Sequence, residues 1–470
     1  MREFLWDNKT LKQACPDAKL YGVCTGNRIC IDSRDIQQGD IFVVFKGANI
    51  DGHHYVYDAL KKGATCAIIE QQPENMDNKN YLMLVPSTKT ALKELAIFNR
   101  NRSTAKILGI TGSVGKTSTK EALHLVCSVD GKSYCNIKNF NNDLGLSISL
   151  ASMPIDTKYG IFELGMNHKG EIAELTKILK PHLALITKIA KVHIEYFKSL
   201  KDIVLAKGEI FLGMNDSGIV VLNGDDKYCS LLSELALNQG ITNIYRFGEN
   251  SKNESYVLKY KAAGNKENPN KIKAKIFKDE INYKIKAHGK HQALNSIAVL
   301  TVIKKLGIDL TTAIKTLSDF SNIEGRGKFL ELKLGGKKIL ILDDSYNANP
   351  ISIKAALNVM QEINSVKYLQ RKIAVLGDMV ELGNYAETAH KELLKPFEAS
   401  DINKLITVGP LMKNLFDSVT PNKRFAHFSD HNEAKESILT LIKDGDCILF
   451  KGSHGTKIYE IVKYLREHAV

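Results

Sequence analysis

At 470 residues, 44% hydrophobic and 25% charged, the chain is long enough to bury several cores and too apolar to be disordered, so two to four domains are expected. Its formal charge of +13 suits a polyanionic partner, either nucleic acid or a small substrate carrying phosphates and carboxylates, and composition does not separate the two. No stretch reaches the roughly 18 uncharged apolar residues of a membrane span, the first residues lack the apolar run of a signal peptide, and the 8 cysteines form neither a CxxC nor a Cys/His cluster; a cytoplasmic protein with reduced thiols and no zinc site is expected.

In chain order, the first hundred or so residues hold short strands at Asp40-Ile-Phe-Val-Val-Phe and Thr65-Cys-Ala-Ile-Ile-Glu, then a helical stretch from Thr90 to Asn99. That is a small α/β module. Ala105 to Ile110 reads as a buried strand, Thr111 to Thr117 as a glycine loop, and Thr119 to Val126 as a helix. Strands at Tyr159 to Leu164, Leu183 to Thr187 and Gly218 to Asn223 alternate with amphipathic runs, which predicts a mostly parallel sheet with the loop after its first strand. Lys252 to Lys290 alternates lysine with apolar residues and reads as half-exposed antiparallel strands, their lysines a solvated face; a helix from His291 to Lys305 follows. Strands at Ile339 to Asp344, Lys372 to Gly377, Lys404 to Gly409 and Cys447 to Gly452 predict a second doubly wound unit. The fold class is therefore α/β in three domains, with borders at 1–103, 104–320 and 321–470.

The loop carries the clearest chemistry. Thr111-Gly112-Ser113-Val114-Gly115-Lys116-Thr117, followed by Ser118, sets glycine amides, a lysine and a hydroxyl between a strand and a helix, where they can cradle phosphates; Lys116 would neutralise the β and γ phosphates and Thr117 would ligate Mg2+. Ile110 stands where the common P-loop has glycine, so this is a shorter variant. Glu163 ends the next strand, where open α/β sheets place their ligands, and a carboxylate there can hold a metal that bridges nucleotide phosphates. His193 could reach the same crevice as a second metal ligand. Lys207 lies in an apolar helical stretch, and its spacing alone suggests no more than a snorkelling surface lysine.

These segments, with Lys138-Asn-Phe-Asn-Asn-Asp-Leu-Gly, Glu163-Leu-Gly-Met-Asn-His-Lys-Gly-Glu-Ile, Ala206-Lys-Gly-Glu-Ile, Gly325-Arg326, Asp343-Asp-Ser-Tyr-Asn-Ala-Asn-Pro and Leu376-Gly-Asp-Met-Val-Glu-Leu-Gly, occur in the order found in Mur ligases. The chain resembles that family over nearly its whole length, in particular the branch that adds D-alanyl-D-alanine to UDP-MurNAc-tripeptide. The resemblance implies a UDP-sugar-binding first domain, a central ATP-binding domain and a Rossmann-like third domain. It also implies ATP and two Mg2+ ions, with Mn2+ as a substitute, no nucleic-acid partner, and a monomer.

By the same resemblance, Lys116 and the loop residues 111 to 118 bind the ATP phosphates. Thr117 and Glu163 hold one Mg2+, and His193 belongs to the second. Lys207 matches a lysine carbamylated in the family, which would make it a carboxylate-like ligand. Asn295 reads adenine, Arg326 lies on the phosphates, Asp344 bonds the ribose and Tyr346 is near the nucleotide. Ser33, Arg34, Asp51, Gly52 and His53 match segments that engage the UDP-sugar, and Asn141 and Asn142 match a substrate-contacting stretch; their bland reading is turn chemistry. The implied reaction activates the peptide carboxylate as an acyl phosphate, which the amine of the dipeptide then attacks. Three departures stand out: His454 near the C-terminus where the family has arginine and, closer to the site, Lys188 where it has asparagine and Gln292 after His291. A folylpolyglutamate-synthase-like ligase shares the loop and the chemistry but not the Asp343 to Pro350 segment. A nucleic-acid-stimulated ATPase would need aromatics interleaved with its basic strands, of which Tyr256, Tyr260 and Tyr283 are a weak version.

Overall fold

The computed structural model describes residues 4–47, 50–73, 81–136, 140–192, 194–364 and 368–469. Within these, three sheets of five, nine and six strands follow one another along the chain. In the first, Cys66–Ile69 is the middle strand, flanked in parallel by Asp40–Val43 and Leu82–Leu84. The helix expected after it runs longer than its apolar pattern, Thr88–Arg102, because the Ser87 hydroxyl accepts the Thr90 amide and caps its start.

The second sheet is built outward from Lys106–Thr111, which lies between Tyr159–Glu163 and Leu183–Ile186 and parallel to both. Side chains of a strand alternate between faces, and here both faces are buried: Leu108 and Ile110 enter one core while Ile107 enters the other. Leu183 and Leu185 against Ala184 and Ile186 repeat the division. That is why these strands read as continuous apolar runs. The chain reverses direction across the sheet beside Lys106–Thr111, and such a switch point opens a crevice at the strand ends. The lysine-rich segment forms the antiparallel strands Ser255–Lys261, Asn270–Ile276 and Asp279–Ile285 at the sheet's far edge, as its alternation predicts.

In the third sheet, Lys337–Asp343, Asp446–Lys451, Arg371–Gly377, Lys404–Val408 and Arg424–Phe428 are parallel neighbours in that order. Lys328–Leu334 adds an antiparallel edge that the sequence reading lacks.

The second and third domains touch in several places. Ile194 packs against the third core, the Glu195 amide donates to the Glu381 carbonyl at 3.3 Å, and the Lys191 ammonium lies 4.1 Å from the centre of the Tyr385 ring. The Tyr260 hydroxyl donates to Glu362 at 2.9 Å. Among the described residues no helix is long and apolar enough to cross a membrane. All eight cysteines are unpaired, and seven of them are buried, as core fillers would be.

Candidate active site

The phosphate loop leaves the carboxyl end of Lys106–Thr111 and turns directly into the helix Lys116–Cys127. Two glycines make that turn. Gly112 has φ 147° and Gly115 φ 88°, and a β-carbon at Gly112 would lie 2.0 Å from the Thr187 hydroxyl. Thr187 braces the loop by donating to the Val114 carbonyl at 2.7 Å, and Ser113 ties it to the next crossover by donating its amide to the Lys188 carbonyl at 2.7 Å. The helix begins at Gly115 without a side-chain cap, so its first amides and the positive end of its dipole face the crevice. A phosphate fits that end.

Lys116, partly buried, donates to the Gly112 carbonyl at 2.9 Å. Beside it the Thr117 hydroxyl donates to Glu163 Oε2 at 2.7 Å, and the Asn141 amide donates to Oε1 at 3.1 Å. Burial pushes the Glu163 carboxyl upward, but the Lys116 ammonium, the Thr117 hydroxyl and the Arg326 guanidinium outweigh it and hold the group below the usual carboxylate range. Glu163 is thus a buried anion, 3% exposed. Lys207, on Leu200–Gly208, faces the same two groups. It is 2% exposed rather than the surface lysine its spacing suggests, and burial together with the charge of Lys116 lowers its ammonium well below the ordinary range.

Sequence reasoning missed the residue that fixes Glu163. Asn136, fully buried, accepts the Glu163 amide at 3.0 Å and donates to the Phe140 carbonyl at 2.8 Å. Asn136→Ala would leave buried backbone groups unpaired; a loss of about 2 kcal/mol in stability is expected in a denaturant melt, with ligation falling further than stability because Glu163 shifts.

The third domain supplies the opposite wall. The Arg326 guanidinium lies 4.1 Å from the centre of the Tyr346 ring and within electrostatic reach of Glu163 and Lys116. Asp344 pairs with Lys451 at 2.6 Å. Burial raises the Asp344 carboxyl against the pull of Lys451. Asn295, on Lys290–Leu306, stands over the loop: a β-carbon on Gly115 would be 2.9 Å from its side-chain oxygen. Gln292, one of the departures, is buried and accepts from the Asn295 amide at 3.2 Å, so it orients that residue. Lys188 meets the loop through its backbone and points its side chain outward. His454 lies between aromatic rings, 5.3 Å from Tyr346 and 4.9 Å from Tyr459 by centroid.

The structure therefore brings together Thr111 to Ser118, Asn141, Glu163, Lys207, Asn295, Arg326, Asp344 and Tyr346. His193 and Lys138 lie outside the described residues. Asn142 caps the helix Asp143–Ala151 by accepting the Gly145 amide at 2.9 Å. In the first domain, Arg34 is paired with Asp32 at 2.6 Å, and the Ser33 carbonyl accepts from Lys62 at 3.0 Å. Asp51 accepts both the amide and the Nδ1–H of His53, while His53 Nε2 accepts the Glu70 amide; these contacts stay within that domain. Gly52 packs so closely that a β-carbon would stand 2.9 Å from the Phe45 carbonyl.

As a metal site the donor set is all oxygen where it is visible, a hydroxyl and an ionised carboxylate beside the phosphate loop. Among the described residues no three His, Cys, Asp or Glu side chains converge.

Three family models match the chain: the Mur ligase family, catalytic domain over residues 27–100, the Mur ligase middle domain over 110–303, and the Mur ligase, glutamate ligase domain over 325–454. The chain is 37% identical to the UDP-N-acetylmuramoyl-tripeptide--D-alanyl-D-alanine ligase of Rickettsia prowazekii (strain Madrid E), covering 98% of its own length and 99% of that protein. It is 31% identical to the enzyme of the same description from Bacillus subtilis (strain 168), covering 95% and 93%. Among solved structures it is similar to MurF from Acinetobacter baumannii, with a TM-score of 0.82, 27% identity and coverage of 98% and 99%. It is also similar to the MurF ligase of Thermotoga maritima in complex with ADP, with a TM-score of 0.76, 25% identity and coverage of 94% and 97%.

Proposed function

The chain belongs to the Mur ligase family, and from that premise we propose that it is the ATP-dependent ligase joining D-alanyl-D-alanine to UDP-MurNAc-tripeptide in cytoplasmic peptidoglycan precursor synthesis. One observation carries the reading furthest: Lys116, Thr117 and Lys207 from the second domain and Arg326 from the third gather around or beside the buried carboxylate of Glu163. The cations there outnumber that carboxylate, as a triphosphate site requires. The domain borders follow the same reading, at 1–103, 104–320 and 321–470, each falling between the end of a helix and the start of a sheet.

ATP lies with its phosphates on the amides of residues 111 to 118 and its adenine toward Asn295, the ribose toward Asp344 and Tyr346. Lys116 and Arg326 draw charge off the γ-phosphate from two sides as the peptide carboxylate approaches. Two anions must meet there, and their repulsion is the main barrier. Thr117 and Glu163 would hold Mg2+, which would supply further neutralisation at the phosphates; a second ion would belong beside Lys207, with His193 the ligand that the family resemblance assigns to it. The resulting acyl phosphate is attacked by the dipeptide amine, and phosphate leaves. The nucleotide sugar belongs to the first domain, at Ser33, Arg34 and Asp51 to His53, with Asn141 and Asn142 beside the peptide; the chain works as a monomer. The role of Lys207 rests on its buried amine.

The test supplies ATP and Mg2+ to the purified chain and follows ADP release and product mass. Tripeptide nucleotide with D-alanyl-D-alanine should stimulate release and yield the ligated nucleotide. Stimulation by folate with glutamate, or by DNA, in place of that pair would sink the reading.

A further inference from the structure

Sequence alone treats the lysine-rich strands as an ordinary solvated face, but their register is denser than that. Across Ser255–Lys261, Asn270–Ile276 and Asp279–Ile285, the residues Lys261, Lys271 and Lys284 stand directly opposite one another in one row. Lys259, Lys273 and Asn282 form the next row, and Tyr256, Lys275 and Glu280 the third. The alternate residues Ile272, Ala274 and Ile276 are buried in the core beneath, so the three rows point outward together. Like charges directly opposite in a sheet repel. Among the described residues only Lys273 of these lysines forms an ion pair, with Glu280 at 2.5 Å. An array of this kind costs the free protein stability that an anionic counterpart would offset.

The composition of the face selects the counterpart. Its cations are lysines, compact and flexible charges without the fixed fork of arginine, and they suit headgroups that offer no fixed register. The β-bulge between Val257 and Lys259 turns Leu258 outward, 43% exposed, beside the rows, where an apolar side chain can enter a headgroup layer. Tyr256 is the only aromatic in the rows, too few for a stacking track along single-stranded nucleic acid. We propose that this three-stranded face is a docking surface for an anionic lipid bilayer.

The experiment sediments the full chain at low ionic strength with vesicles of phosphatidylglycerol and phosphatidylcholine, and with phosphatidylcholine alone. Binding to the first and not the second is expected. The triple variant Lys261→Gln, Lys271→Gln, Lys284→Gln should partition roughly 100-fold more weakly, each lysine at such a surface being worth roughly fivefold. Lys354→Gln, Lys395→Gln, Lys443→Gln removes the same charge from exposed positions elsewhere and should change partitioning by less than about threefold. Circular dichroism verifies the folding of both, and Leu258→Asp, which leaves the lysines in place, should also weaken binding. Absence of binding to the anionic vesicles, equal loss in the two triple variants, or capture of single-stranded DNA that the vesicles do not displace would each overturn the proposal.

Discussion

Replacing Lys116 by methionine is expected to lower kcat/KM for ligation by about a thousand-fold while leaving the apoprotein no less stable, as read by initial rates and a thermal melt. The two halves of that result have one cause. Lys116 stands within electrostatic reach of Arg326 and Lys207, and burial, opposed by Glu163 and aided by Arg326, lowers its ammonium below the ordinary range. Folding holds this charge in place at a desolvation cost, which methionine, of similar length, removes; that relief offsets the lost contact to the Gly112 carbonyl and the lost charge beside Glu163. Glu163 keeps Thr117, Asn141 and Arg326 as partners. What is lost is the charge at the γ-phosphate, and it is lost where it matters most, in the transition state. Lys116→Arg should not restore the rate, because the guanidinium is broader than the turn between Gly112 and Gly115 accommodates. A melt markedly below the parent would show instead that the lysine is structural.

Lys207→Ala should abolish ligation to at most about a hundredth of the parental rate with ATP affinity changed far less. The side chain is fully buried, faces Lys116 and Glu163, and has its ammonium lowered well below the ordinary range by burial. An amine held toward its neutral form is a nucleophile and a lone-pair donor, neither of which a surface lysine offers. Chemical rescue reads the working form. Recovery with a small amine such as methylamine identifies the amine, whereas recovery with formate or acetate places a carboxylate-like group in that cavity. An unaffected variant would remove Lys207 from the site.

The central strands of the second and third sheets were legible because both of their faces are buried, so Ile107 to Ile110 and Ile339 to Leu342 appear as unbroken apolar runs, whereas the more exposed Asn243–Gly248 and Arg424–Phe428 were not read. Lys328–Leu334 was not, since a half-exposed edge strand with charged residues has no such signature. Glu163 and the loop could be placed on the site because each sits at a strand end, a position that sequence order fixes. Asn136 and Thr187 could not: the first meets Glu163 across 27 positions and the second meets Val114 across 73, and nothing local marks either. Lys207 shows the limit from the other side. Its helix looks amphipathic enough for a surface lysine, and only the tertiary packing reveals where its amine points. Asn142 also caps the helix Asp143–Ala151, a role that the Asn-Asp pair predicts by itself.

The strand Asp446–Lys451 lies between Lys337–Asp343 and Arg371–Gly377, pairing with both, although it is the last strand to leave the ribosome. The native places of Lys337–Asp343 and Arg371–Gly377 on either side of it therefore cannot be filled in before Asp446–Lys451 is made. Lys451, at the end of that strand, is also the partner of Asp344. The Asp344–Lys451 pair of the third domain thus forms only once Lys451 has been made, while Lys106–Thr111 acquires both of its neighbours by Ile186. During synthesis the two sides of the candidate site mature more than 250 residues apart, roughly 13 to 50 seconds at elongation rates of about 5 to 20 residues per second.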